Sequence, residues 1–169
     1  MKTTKPHVLA GLVTGAVLIL CNVIFIILGY EGDTKITWIA SLLNIALLIY
    51  FIKEHGKSHD HTKTFGDLFS FGFRATALVT IMLTAFMIIY SYAFPESENK
   101  AMEIARSKMM EDERLTEDNI EQALSITRKF YFPILIAGTI FSTMIVGAVG
   151  SLLGAAFTKK VPSSPFSNP

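Results

Sequence analysis

The segment HGKSHDH, residues 55–61, places three of the chain's four histidines within seven positions. Neutral imidazole is a good ligand for zinc and nickel. His55 and His59 have the i, i+4 spacing that puts two side chains on one helix face. His61 follows Asp60 and would add a third ligand only from an irregular backbone. His55, His59 and His61 are therefore the candidate metal ligands. The alternative is a solvated polar loop whose imidazoles titrate near about 6.5. A metallopeptidase centre of the H-E-x-x-H type is excluded, because Gly56 stands where the general base belongs and Glu54 lies on the wrong side. No serine or threonine has a paired base at depth. No glycine-rich phosphate loop precedes a Lys-Ser/Thr pair. The single cysteine, Cys21, excludes an intramolecular disulfide, a CxxC pair and a cysteine-based zinc site. These residues point to no enzyme and no cofactor.

Three further polar residues are candidates because of where they fall. Asn22 and Asn44 lie midway along two apolar runs, and Arg74 opens a third. An amide in hydrocarbon needs a partner, so the two asparagines are expected to bond to each other or to backbone, for about 1 kcal/mol. The alternative role is binding a solute. Apart from Arg74, no Asp, Glu, Lys, Arg or His lies inside an apolar run. That argues against a proton relay, an ion-coupled transporter or a voltage sensor, which need such groups at depth.

The elements that must position these residues follow from composition. The chain is 51% hydrophobic and 17% charged, against about 25% charged in a soluble domain. Mean hydropathy is +0.46, and the charge is confined to a few loops. Four runs are long and apolar enough to span a bilayer, about 8–30, 36–52, 73–94 and 133–157. The expected fold is all-α, a single integral membrane domain in which four helices form a bundle, with the lipid bilayer as its first partner. The first run is too long for a signal sequence, and no Ala-x-Ala pattern follows it. Gly11 with Gly15, and Gly150 with Gly154, have GxxxG spacing, and Gly138 with Ser142 and Gly147 with Ser151 continue the theme. Small residues four apart let helices approach closely. Packing of the first helix on the fourth is expected, with homo-oligomerisation as the alternative.

Between the third and fourth spans, residues 95–132 are expected to form a helical extramembrane hairpin. Pro95 ends the third span, residues 96–113 read as a charged helix with Met102, Ala105 and Met109 on one stripe, and Thr116 is a fitting N-cap for a second. Ile120, Ala123, Leu124 and Thr127 form that helix's narrow apolar face. The hairpin caps the bundle or recruits a protein partner. The acids of EDE, 111–113, lack EF-hand spacing. Upstream, Phe65, Phe69 and Phe73 recur every four residues, as an interfacial anchor would.

Four spans put both termini on one side. Lys2 and Lys5 precede the first helix while Glu31 and Asp33 follow it, so both termini are expected in the cytoplasm. Arg128 and Lys129 beside the fourth span oppose that orientation. Residues 160–169 read as a disordered tail. A net charge of +1, with no basic cluster interleaved with aromatics, argues against nucleic-acid binding.

The motifs FGDLFSFGFRATALVTIM (from Phe65), RLTEDNIEQALSITRKFYFP (from Arg114) and GAVGSLLGAAFTKK (from Gly147) resemble domain of unknown function family 4199. The resemblance covers nearly the whole chain. It implies a small four-helix protein of the bacterial inner membrane and carries no established activity or site residue. The His55–His61 segment is not part of its pattern. Two readings of function follow. One is a structural or interaction protein whose 95–132 loop meets a partner. The other is an accessory subunit or oligomeric component of a membrane transporter or channel. A polar cavity lined by Asn22, Asn44 and Arg74 would favour the second, and a dry apolar axis the first.

Overall fold

The computed structural model describes residues 5–30, 33–112 and 114–159. Lys2, Glu31, Glu113 and the 160–169 tail lie outside the described residues. The described residues form six helices and no strand: α1 (Pro6–Ile27), α2 (Thr34–Lys57), α3 (Phe65–Ala93), α4 (Glu96–Met110), α5 (Glu117–Lys129) and α6 (Tyr131–Phe157). Four of them, α1, α2, α3 and α6, are long and apolar enough to cross a membrane.

Local chemistry sets the ends. Pro6 opens α1, where its missing N–H costs nothing. Gly29 closes it with a left-handed φ of 79°. The N–H groups of Gly29 and Tyr30 donate to the carbonyls of Ile26 and Phe25 at 3.0 Å, the pairing expected of a glycine C-terminal cap. Asp33 starts α2 by accepting from the Lys35 N–H at 2.7 Å. The second helix outruns its expected 36–52 bounds, and Gly56 does not fray it. Gly56 is buried against Thr158 and Leu68, so packing outweighs the roughly 1 kcal/mol that glycine costs a helix. The third helix also starts earlier than its apolar run. Thr64 accepts from the Asp67 N–H, and the Asp67 carboxylate accepts from the Thr64 N–H and hydroxyl, forming a capping box. Its 29 residues extend about 43 Å, well beyond a hydrocarbon core of about 30 Å. The extra turns hold the stacked rings of Phe65, Phe69 and Phe73, with centroid spacings of 6.5 and 5.6 Å.

The long helices pack side by side, with α3 against α1 and α6, and α2 against α6 and α1. The expected meeting of the two GxxxG pairs does not occur. Gly11 faces the Ala75 carbonyl and Leu78, and Gly15 faces Met82, all on α3. Gly150 and Gly154 face Ile45, Leu48, Ile49 and Ile52 on α2. Glycine spacing signals a close approach but not its partner, and α3 carries two more such points. Gly72 abuts Ile52 and Ser151, and Thr76 fills the space over Gly147. The tight core of Ala10, Leu48, Ile52, Leu68, Phe71, Ala75 and Ala155 lies at one end, where α1 begins and α6 finishes.

Elsewhere the long helices leave their apolar surface uncovered. Only 11 to 28% of each helix's most apolar window is buried, and Leu20, Leu42, Ile81 and Phe141 are exposed. In water each such side chain would forgo about 1.5–3 kcal/mol of burial free energy. Against lipid there is no such cost.

α4 and α5 form a hairpin with a small core of its own, Met102, Ile120 and Leu124, flanked by Ala105, Met109 and Tyr131. Arg106 pairs with Glu121 at 2.7 Å and Glu117 at 3.3 Å. Thr116 caps α5 as expected, accepting from the Asn119 N–H at 3.4 Å. The hairpin is tied to the long helices by Ser97 on α4, whose hydroxyl oxygen lies 3.5 Å from that of Ser91 on α3, and by Lys108 Nζ, which donates to Thr34 Oγ1 at 3.5 Å.

Candidate functional site

Asn22 and Asn44 line the same cavity. It has a volume of about 280 Å³ and receives side chains from all four long helices. That is near the lower end of small-molecule pockets, about 300–1,000 Å³. It lies toward the hairpin end, with Tyr30 and Asp33 at its rim, Thr37, Ser41 and Asn44 along α2, and Ser142 and Thr143 from α6. A second hollow of about 410 Å³ shares Asn22, Thr37 and Ser142 and reaches along α6 to Gly138. No atom lies within 4 Å of where a Cβ on Gly138 would stand. The helices therefore pack tightly at the Gly147–Gly154 end of α6 and part around these two spaces.

The expected Asn22–Asn44 bond is not the one observed. Asn22 Nδ2 donates to the Leu18 carbonyl at 2.9 Å. Asn44 is 4% exposed, and its Oδ1 has no hydrogen-bond partner among the described residues. An orphaned buried oxygen costs about 1–3 kcal/mol. Thr14 and Thr84 also have buried, unpartnered hydroxyl oxygens, but neither lines this cavity. The lining hydroxyls of Thr37, Ser41 and Ser142 donate to the carbonyls of Asp33, Thr37 and Thr139 at 3.2, 2.9 and 3.2 Å. Each keeps acceptor lone pairs. Among the described residues the only carboxylate on the wall is Asp33, at the rim and engaged in capping α2. Apart from Asp33, the polar groups that the described residues bring to the wall are neutral hydrogen-bonding groups.

Thr37, Ser41 and Asn44 are spaced i, i+4, i+7 on α2. This polar stripe on an apolar helix is the signal by which the cavity wall can be found in the sequence.

Arg74 is elsewhere. It lines a separate cavity of about 260 Å³ at the opposite end, with His7, His55, Lys63, Asp67, Ser70 and Phe71. The three clustered histidines divide here. His55 stacks on Phe71, with centroids 4.1 Å apart and planes 10° apart. The His59 ring is 4.5 Å from that of His55, and its Nδ1 lies 2.9 Å from the His55 carbonyl oxygen. His61 has a left-handed φ of 60° and places Nδ1 2.9 Å from the Lys159 carbonyl oxygen. The irregular backbone is present, but it turns His61 to the end of α6. Among the described residues, no group of three His, Cys, Asp or Glu side chains converges as a metal site would require. The fourth histidine, His7, joins the cluster instead, edge-on to Phe71 at 6.4 Å. Span parity is the signal for it, since four spans bring the start of α1 and the α2–α3 loop to one end.

No curated protein and no solved structure matches the chain. One family model matches residues 9–160, from the first turn of α1 to just past α6. The chain belongs to that family, described as Protein of unknown function (DUF4199).

Proposed function

We propose that the chain is a multi-pass protein of the bacterial inner membrane. In this reading α1, α2, α3 and α6 form a four-helix bundle in the bilayer, with both termini in the cytoplasm and the α4–α5 hairpin outside. It binds a small, neutral, polar solute and serves as an accessory subunit or oligomeric component of a membrane transporter or channel, without catalysis of its own. The observation that carries this is Asn44, which lines a cavity that Asn22 shares and whose side-chain amide oxygen is buried and without a partner among the described residues. A bundle serving only as a scaffold would fill that space with Leu, Ile and Phe.

The reading as an interaction protein working through residues 95–132 ranks second. The hairpin's apolar stripes already meet each other, and Arg106 is already paired with α5. That supports a self-contained hairpin more than an empty docking face. Melting the purified chain in nanodiscs with polyols, amides and amino acids tests the proposal. A saturable rise in Tm that vanishes in Asn44→Leu supports it. Equal shifts in both proteins, or none with any solute, contradict it.

A further inference from the structure

The opposite end of the helices carries a second and unrelated arrangement. The start of α1, the end of α2 and the first turns of α3 meet there around the Phe71 ring, which is 7% exposed. His55 lies flat on that ring and His7 stands edge-on to it. Lys63, Arg74 and Ser70 complete the rim of the 260 Å³ cavity. Two fixed cations and two imidazoles therefore face one space. The one acid present, Asp67, accepts from the Thr64 N–H at 3.1 Å and its hydroxyl at 2.9 Å, and so is held by the α3 cap. Neither Lys63 nor Arg74 forms an ion pair with a described residue. Two fixed cations and two protonatable rings around one carboxylate leave the space net positive, and an anion relieves that excess.

We propose that His7, His55, Lys63 and Arg74 form a binding site for a phosphate group, carried by the headgroup of an anionic phospholipid. Arginine offers a planar fork of donors that suits phosphate oxygens, and lysine adds a point charge. The depth favours a lipid source. The exposed rings of Phe65 and Phe73 sit on the same stretch of α3, and such aromatic belts mark the level of the headgroups. Basic pockets between spanning helices are fitted to anionic headgroups. The site gains charge as pH falls, because each imidazole that takes up a proton adds a positive charge. The groups facing His7 are Arg74 and Lys5, and those facing His55 are His59, Lys63, His7 and Asp67. Cations outnumber the single carboxylate, so a bound phosphate favours the protonated rings.

The test uses the full chain in nanodiscs of phosphatidylcholine doped with phosphatidylglycerol, with bound lipid counted by native mass spectrometry. Retention of phosphatidylglycerol at least tenfold over phosphatidylcholine is expected, rising from pH 7.5 to 5.5. The Lys63→Gln/Arg74→Gln variant should lose that preference, and His7→Gln/His55→Gln should lose the pH dependence. Circular dichroism verifies that each variant is helical. If the double charge variant does not fold, Lys63→Gln alone is read, since it lies outside every helix. Unchanged preference in the helical variants overturns the site. Binding of soluble glycerol phosphate as tight as that of the lipid keeps the phosphate site and overturns the headgroup as its source.

Discussion

The imidazole of His55 lies parallel to the ring of Phe71 at 4.1 Å. That contact joins the end of α2 to the start of α3, and Phe71 belongs to the tight core of the helix assembly. Phe71→Leu keeps most of the volume and loses the stack, which is worth about 0.5–1.5 kcal/mol. Phe71→Ala also opens a cavity, for about 3–5 kcal/mol in all. Reversible unfolding in bicelles should rank the two in that order, and a Phe71→Leu variant as stable as the parent would show that the stack is incidental.

The glycines divide by what stands over them. A Cβ on Gly72 would meet Ile52 Cδ1 at 2.6 Å and Ser151 Oγ at 2.7 Å, whereas one on Gly138 would meet nothing within 4 Å. Gly72→Ala should destabilise by about 1–3 kcal/mol through overpacking. Gly138→Ala should be neutral, or stabilising by up to about 1 kcal/mol through helix propensity. The same unfolding assay separates them.

Much of the helix layer is legible in the sequence because the lipid reading depends on long uncharged runs, and these are plain at 8–30 and 133–157. The ends of α2 and α3 are less so. Gly56, Thr64 and Asp67 are polar or flexible on paper, and only Thr158 packing and the capping box extend the helices over them. Which neighbour each glycine meets depends on the order of helices around the assembly, and no local spacing encodes that order. The same holds for the sites. Asn22 and Asn44 were visible as candidates, but the separation of Arg74 from them, and the arrival of His7 beside His55, follow from tertiary placement.

In the hairpin, burial should outweigh charge. Arg106 and its partners are substantially exposed, and such pairs contribute about 0–1 kcal/mol. Leu124 is buried, and Leu→Ala in a core costs about 2–5 kcal/mol. Hydrogen exchange over α4 and α5 should therefore rise sharply in Leu124→Ala and little in Arg106→Gln.

At the tip of the hairpin, hydrogen bonds from the Arg114 side chain and then its backbone N–H hold the Asp112 carboxyl below its ordinary range. A depressed folded-state value means the turn is stabilised above the unfolded carboxylate's pKa and loses this as pH falls through the folded one. Carbon-13 NMR should show Asp112 titrating below about 3.9, and Arg114→Ala should return it toward that ordinary value.

Asn44 should separate stability from function. Replacing an amide whose buried oxygen has no partner by an apolar residue of similar size removes a desolvation penalty, so Asn44→Leu is expected to raise stability by about 1 kcal/mol or more. Loss of solute binding should accompany the gain, as where a site holds strain for function. A variant that is less stable and still binds would contradict both.

To bind a solute as proposed, the Asn22–Asn44 cavity must be wet and open toward the hairpin side. Single cysteines at Thr37, Ser41 and Leu48, in a Cys21→Ala background, test it directly with a membrane-impermeant thiol reagent applied to intact cells. Labelling is expected at Thr37→Cys and Ser41→Cys, positions that line the cavity, and none at Leu48→Cys, a position fully buried in the tight core. Protection of all three positions, with labelling only after denaturation, would contradict it.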